Sequence, residues 1–336
     1  MQTLLHAAKR QRLLQTGSIA LTLTALPLGA AAQDQTGCNP EGWPHETIEV
    51  VSHASAGGGT DTTIRMWLDA ADEQVDENMT VVYKQGGGAR AAHEYFKSQG
   101  ADCHTIMALT QTHLYTIARG NSPIDIDTMQ GVARAMDDPS VIVVRADSPY
   151  QTYEELIEAS RDGALTWGVA QVGGTEHIGI ERWAEAAGIE TRVVPFGGGG
   201  DMVTALRSGA VNASVANVSE ALDQIQEGAL QPLAVLAEER IEDLPDVPTA
   251  SEHGHDVKVS TTRGYYVHAE TPPEMVATIE ELILTAMESD RFREYLRNNG
   301  LDPDDSIAGS DVWDEQIKNE YQVSLETMRK LDLTDK

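Results

Sequence analysis

Ala56-Gly57-Gly58-Gly59-Thr60-Asp61 is the stretch of this chain best suited to chemistry. It follows a short β-type run, Ile48–Val51, and precedes a helical run from Thr62 to Ala71. A helix opens with unpaired backbone N–H groups and partial positive charge, and glycines let an anion reach that backbone. The turn therefore suits a carboxylate. A nucleotide loop is the rival reading, but neither the dinucleotide spacing G-x-G-x-x-G nor the phosphate-loop spacing is present, and no lysine follows the glycines. A plain structural turn is the third reading, and this loop alone leaves it open against anion binding.

The device recurs. Leu165–Val169 reads as a strand, Gln171-Val172-Gly173-Gly174-Thr175-Glu176-His177 as the turn, and Ile178–Ala187 as the helix. Thr60 and Thr175 read as N-caps that also face a ligand, with Ser55, Gly57, Gly58, Gly59, Gln171 and Gly174 around them. Asp61 is an acid in a helix's first turn that also suits a ligand donor. His177 is a packed or capping histidine, or a ligand contact. Thr110 and Gln111 end the strand Thr105–Leu109, and Asn217 and Ser219 follow the strand Val211–Ala216. Both pairs sit where a cleft edge falls, as ligand contacts or as turn residues. Arg263 is either a bidentate carboxylate clamp or half of a structural ion pair.

Enzyme chemistry finds little support. Ser52 and His53, with Asp61, suggest a triad, but neighbours in a strand point to opposite faces. Neither G-x-S-x-G nor H-E-x-x-H occurs. The ten histidines show no ligand spacing with cysteine or acids, so no metal and no cofactor is expected. A periplasmic hydrolase is the weaker alternative to a binding protein. A ligand-loaded sensor for a membrane signalling partner is the other.

The positioning elements alternate. Met79–Tyr83 reads as a strand, Gly86-Gly87-Gly88 as a turn and Ala89–Ser98 as a helix. Strand, glycine turn and helix in this order predict a doubly wound α/β layer, with ligands beyond the carboxyl ends of its strands. Val141–Val144 begins a second layer, followed by a capping box at Thr152 and Glu155. Arg192–Phe196, Val211–Ala216 and Pro232–Leu236 are its further strands. Helical stretches near Pro273–Ser289, Asp290–Asn298 and Ser310–Lys330 lack a sheet of their own and are expected on the first layer. The chain therefore divides into lobe 1, residues 33–143 plus 264–336, and lobe 2, residues 144–263, the second boundary falling within 235–264.

Residues 1–32 read as a secretory signal: Lys9, Arg10 and Arg12, an apolar run from Gly17, and Ala30-Ala31-Ala32 before Gln33. No later run is long enough for a membrane span. The chain carries 53 acids against 24 basic residues, a formal charge of −29. That balance opposes nucleic-acid binding and docking on an anionic membrane surface. It also suggests a salty habitat, where self-repulsion is screened. In an exported chain the two cysteines, Cys38 and Cys103, are expected to form one disulfide. Each precedes a strand of the same parallel sheet, which brings both thiols to one edge.

The residues resemble the extracytoplasmic solute receptors of the tripartite tricarboxylate transporter family, also called Bug receptors. Four blocks carry the likeness: Ala56–Asp61 after its strand; Gly173-Gly174-Thr175-Glu176-His177; Val194-Pro195-Phe196 through Asn217-Val218-Ser219-Glu220; and Leu233-Ala234-Val235 with Leu244-Pro245-Asp246-Val247-Pro248-Thr249. The resemblance spans the whole chain after residue 32. It implies a two-lobed type II periplasmic binding protein fold with a ligand cleft between the lobes. It implies a small carboxylate ligand, a di- or tricarboxylate, held by backbone N–H groups, hydroxyls, amides and water. It also implies delivery to a membrane carrier with a large and a small subunit. A periplasmic monomer is expected. His53-Ala54 departs from the family's frequent Pro-Phe, and Thr262 from its frequent Trp before the Arg-Gly pair.

Overall fold

The computed structural model describes residues 38–330, apart from 73, 76 and 77. The expected signal, residues 1–32, lies outside the described residues. The first part of the chain runs β1 (Ile48–Ser52), α1 (Gly59–Ala71), β2 (Met79–Tyr83), α2 (Arg90–Gln99), β3 (Thr105–Leu109) and α3 (Gln111–Ala118). A long strand follows, β4 (Met129–Arg145). Next come α4 (Tyr153–Ser160), β5 (Thr166–Val169), α5 (Thr175–Ala187), β6 (Arg192–Pro195), α6 (Gly199–Ser208), β7 (Ala213–Asn217), α7 (Val218–Gln226) and β8 (Leu230–Val235). The chain returns through β9 (Ser260–His268) and ends in α8 (Pro273–Met287), α9 (Asp290–Asn298), α10 (Pro303–Ser306) and α11 (Ser310–Lys330).

β1 pairs in parallel with both β2 and β3, and β3 pairs antiparallel with β9. β9 runs antiparallel to β4 from Met129 to Pro139. From Ser140 onward β4 changes partners and pairs with β7 and β8. β5 lies parallel between β7 and β6. One strand therefore serves two sheets. Pro139 stands at the change, where a residue without an N–H costs the ladder least.

Alternation sorts the cores. On β9, Tyr265 faces Ile64, Trp67, Ile279 and Phe292, while Tyr266 faces Phe96, Leu109, Trp313 and Ile317. The first sheet is thus covered by α1, α8 and α9 on one side and by α2, α3 and α11 on the other. In the second sheet Ile142 and Val144 pack with Trp167 and Trp183, whereas Val141 and Val143 pack with Met202, Leu206 and Val218. The C-terminal end of α11 also reaches the second layer, where Met328 meets Ile178.

The Val141–Val144 run is not a strand by itself but the tail of β4. Arg134, Asp137, Asp138 and Pro139 break its apolar pattern, and distant groups compensate. Arg134 donates to the Ser306 carbonyl and to Gln316, and Asp138 accepts from Ser219 and Arg263. α3 is a helix where the sequence suggested only a strand end. Cys38 and Cys103 are joined by a disulfide, which ties the N-terminal segment to the start of β3.

Candidate functional site

Two sets of three parallel strands, β1 to β3 and β5 to β7, end at one cleft. Residues just past β1, β2, β3, β5 and β6, together with the last residue of β7, line a cavity of about 280 Å³. They are His53, Gln85, Thr110, Gln171, Phe196 and Asn217. Helix starts follow from the same turns. Gly58, Thr110, Gly198 and Asn217 are the N-caps of α1, α3, α6 and α7, and all four line the cavity. Thr175, the first residue of α5, joins them. Two of these helices belong to the first sheet and three to the second. Some first-turn N–H groups are already taken, Thr112 by Thr110 Oγ1, Ser219 by Asp138 and Gly59 by Glu220; the partial positive charge of all five helix ends converges on one space.

The cleft floor carries charge. Arg263, 4% exposed, enters from β9 and lies 2.8 Å from Asp138 Oδ2 and 3.8 Å from Glu220 Oε1. Asp138 also accepts from the Ser219 N–H at 3.1 Å and from its hydroxyl. Among the described residues Arg263 is the one permanent cation lining the cavity, facing Glu176 and Glu220 there. Burial pushes the Glu220 carboxyl up to about 7, against the pull of Arg263, with Glu176 and Asp138 adding repulsion. Burial pushes Glu176 up as well. The Glu220 carboxylate lies against the first residues of two helices. A Cβ on Gly199 would fall 1.7 Å from its Oε2, and one on Gly59 would fall 2.8 Å from its Oε1. Only glycine permits that approach.

The tripartite tricarboxylate transporter family receptor pattern matches residues 63–321. The chain belongs to this family. The UPF0065 protein in the gbd 5' region of Cupriavidus necator is 28% identical over 302 residues, 88% of this chain and 90% of that one. MatC of Rhodopseudomonas palustris with bound malate superposes with a TM-score of 0.77 at 22% identity, covering 85% of this chain and 99% of that one. Rpa4515 of R. palustris with adipate gives 0.75 at 22% identity, over 86% and 96%. At these identities the likeness establishes the fold, the two-lobed α/β fold of periplasmic binding proteins.

In this receptor nine of the residues singled out from sequence line the cleft: Ser55, Gly58, Gly59, Thr60, Thr110, Gln171, Thr175, Asn217 and Arg263. Six do not, and each has another task or place. Asp61 accepts from the Gly57 N–H at 2.8 Å, from Tyr83 at 2.5 Å and from Arg65 at 3.1 Å. Burial pushes its carboxyl up, and these donors more than reverse the shift. His177 Nδ1 accepts from the Gly173 N–H at 2.8 Å. Gln111 bonds Thr262 and Glu320, joining α3 to β9 and α11. Ser219 holds Asp138. Gly57 is exposed beside the cleft, and Gly174 is the buried N-cap of α5.

Thr60 and Thr175 are not N-caps. Gly58 and Gly174 hold those positions in extended conformation, without a side-chain cap bond. The two turns therefore align on their glycines rather than on their threonines. Gly57 matches Gly173, both at positive φ, and Asp61 matches His177. In each turn the third helical side chain fastens the N–H of the residue before the cap. Thr60 corresponds to Glu176 and Gly59 to Thr175. Sequence reasoning passed over Glu220, Glu176 and His53. The first two sit in helix first turns within the blocks that carry the family likeness. His53 stands out in the sequence as a triad member and, with Ala54, as a departure from the family's frequent Pro-Phe, not as a ligand contact.

Proposed function

We propose that the receptor captures a small dicarboxylate from the periplasm and delivers it to a membrane carrier with a large and a small subunit. The observation that carries this reading is the convergence of five helix N-termini, from both sheets, on one cavity with a single permanent cation among the described residues. Backbone N–H groups on opposite walls suit a ligand with a carboxylate at each end. Malate in MatC and adipate in Rpa4515 are ligands of this kind in proteins of the same fold. We further propose that lobe 1 (33–143 plus 264–336) and lobe 2 (144–263) close on the ligand as a hinge, bending where β4 changes sheets and within 235–264.

Thermal-shift screening of malate, adipate and citrate, followed by calorimetry of the best of them, tests the reading. A ligand bound only by the folded state raises the melting temperature by mass action. If none of the carboxylates shifts it while an uncharged or cationic solute does, the anion reading fails.

A further inference from the structure

Three imidazoles lead away from the cleft wall in single file. His53 lines the cleft, with its Nε2 3.3 Å from Thr110 Oγ1 and its Nδ1 3.0 Å from His113 Nε2. His113 Nδ1 lies 2.9 Å from His93 Nε2, and His93 Nδ1 lies 2.9 Å from Ser122 Oγ. All three rings are buried, while Ser122 is half-buried at the outer end. Each of the six ring nitrogens thus faces an imidazole or a hydroxyl. Burial keeps the rings neutral, holding His53 down at about 4, His93 at about 3 and His113 well below its ordinary value.

A neutral imidazole has one N–H and one bare nitrogen. Two adjoining rings bond only when one donates and the other accepts. Along three rings that leaves two self-consistent arrangements. In the first, every ring is Nε2–H: Ser122 donates to His93, His93 to His113, His113 to His53, and His53 to Thr110. In the second, every ring is Nδ1–H and each bond reverses. A mixed arrangement sets two lone pairs or two N–H groups against each other where water cannot help.

The ends of the chain give the arrangement its meaning. Thr110 Oγ1 already accepts from the Thr112 N–H at 3.3 Å, and Ser122 Oγ from the Ile124 N–H at 3.2 Å. In the first arrangement Thr110 accepts from His53 as well, and its own proton is free to point into the cleft. In the second that proton is committed to His53. Tyr266 Oη, 3.4 Å from His113 Nδ1, can donate or accept and fits either arrangement. Free neutral histidine favours the Nε2–H tautomer, which is the form of every ring in the first.

We propose that His53, His113 and His93 form a directional chain that fixes Thr110 as a hydroxyl donor to the ligand, so that this wall selects an acceptor oxygen over an N–H group. His93 and His113 are positioning residues that touch no ligand. The identity of that oxygen as a carboxylate rests on the function proposed above.

Long-range nitrogen–proton NMR of the full chain labelled at histidine, at about pH 7 with and without malate, reads the tautomers directly. Three Nε2–H rings that stay neutral with malate support the chain. Mixed tautomers, Nδ1–H rings with malate, or a charged ring overturn it. If calorimetry finds that no carboxylate binds, the carboxylate reading falls. The ligand-free spectrum then judges the chain, uniform Nε2–H supporting it and anything else overturning it. His93→Leu removes the outer donor, whereas His93→Gln keeps an amide donor near the former Nε2. Malate should bind roughly three- to ten-fold more weakly to the first and recover in the second. Equal loss in both, or no loss in either, overturns the proposal. If His93→Leu fails to fold, the spectrum of the parent protein decides.

Discussion

Arg263 Nη1 lies 2.8 Å from Asp138 Oδ2, both side chains buried, at the place where β4 is about to leave β9 for the second sheet. The pair thus closes the cleft floor where the two sheets share a strand. Removing one partner of a buried pair leaves an uncompensated charge. Arg263→Met should therefore cost about 3–5 kcal/mol of stability. Adding Asp138→Asn should return part of the loss. Denaturant unfolding checks this, and an unchanged midpoint in the single variant would show that the Ser219 N–H and hydroxyl, with solvent, already compensate Asp138.

Neighbouring glycines should differ sharply. A Cβ on Gly59 would meet Arg263 Nη2 at 2.5 Å and Glu220 Oε1 at 2.8 Å, whereas one on Gly58 meets only the Ser55 carbonyl at 3.6 Å. Gly59→Ala should displace the ion pair and cost roughly 1–3 kcal/mol, with ligand affinity falling alongside. Gly58→Ala should fold and bind like the parent. Calorimetry on both variants separates them, and equal behaviour would mean that the floor side chains yield freely.

Much of the frame was legible because local apolar runs dictate it. β2 and β3 have the limits their runs suggest, and Thr152 with Glu155 forms the capping box its spacing announces. The long first half of β4 was not legible, since Arg134 and Asp138 belong in a strand only once α10, α11, β9 and α7 supply their partners. The cleft was legible as glycine turns but not in register. Backbone angles decide whether a helix starts at a glycine or at the threonine after it, and composition does not encode them. Arg263 is ion-paired and lines the cavity at once, so its residue type and position alone do not separate a ligand clamp from a structural ion pair.

The disulfide should matter for stability more than for binding. It closes a long loop, and Trp43 adds a bond from Nε1 to the Cys103 carbonyl at 3.0 Å. Reduction should cost roughly 2–4 kcal/mol, because the open unfolded chain gains conformational freedom. Unfolding with and without reductant measures it. Ligand affinity under mild reduction should hold, since neither cysteine lines the cleft.

Glu220 should make both stability and binding depend on pH near neutrality. Its ordinary value is 4.5, and burial raises it to about 7 in the folded protein. Between those values the folded state holds a proton that the unfolded chain has released. The associated stability is full below 4.5 and is lost as pH rises through 7. The buried histidines act in the opposite sense: their depressed values give stability that is full above 6.5 and is lost as pH falls toward 4. Glu220→Gln isolates the first effect, and its stability relative to the parent should rise between pH 4.5 and about 7 and level off above that. Binding follows the same logic. An anionic ligand beside Glu220 favours its protonated form, so dicarboxylate uptake should carry a proton with it, and affinity should fall as pH passes about 7. In Glu220→Gln that fall should vanish. Calorimetry in two buffers of different ionisation enthalpy counts the proton directly. A parent protein that binds dicarboxylate without proton uptake, at one affinity across this range, would place the ligand's charge away from Glu220 and move the anion site toward Thr110.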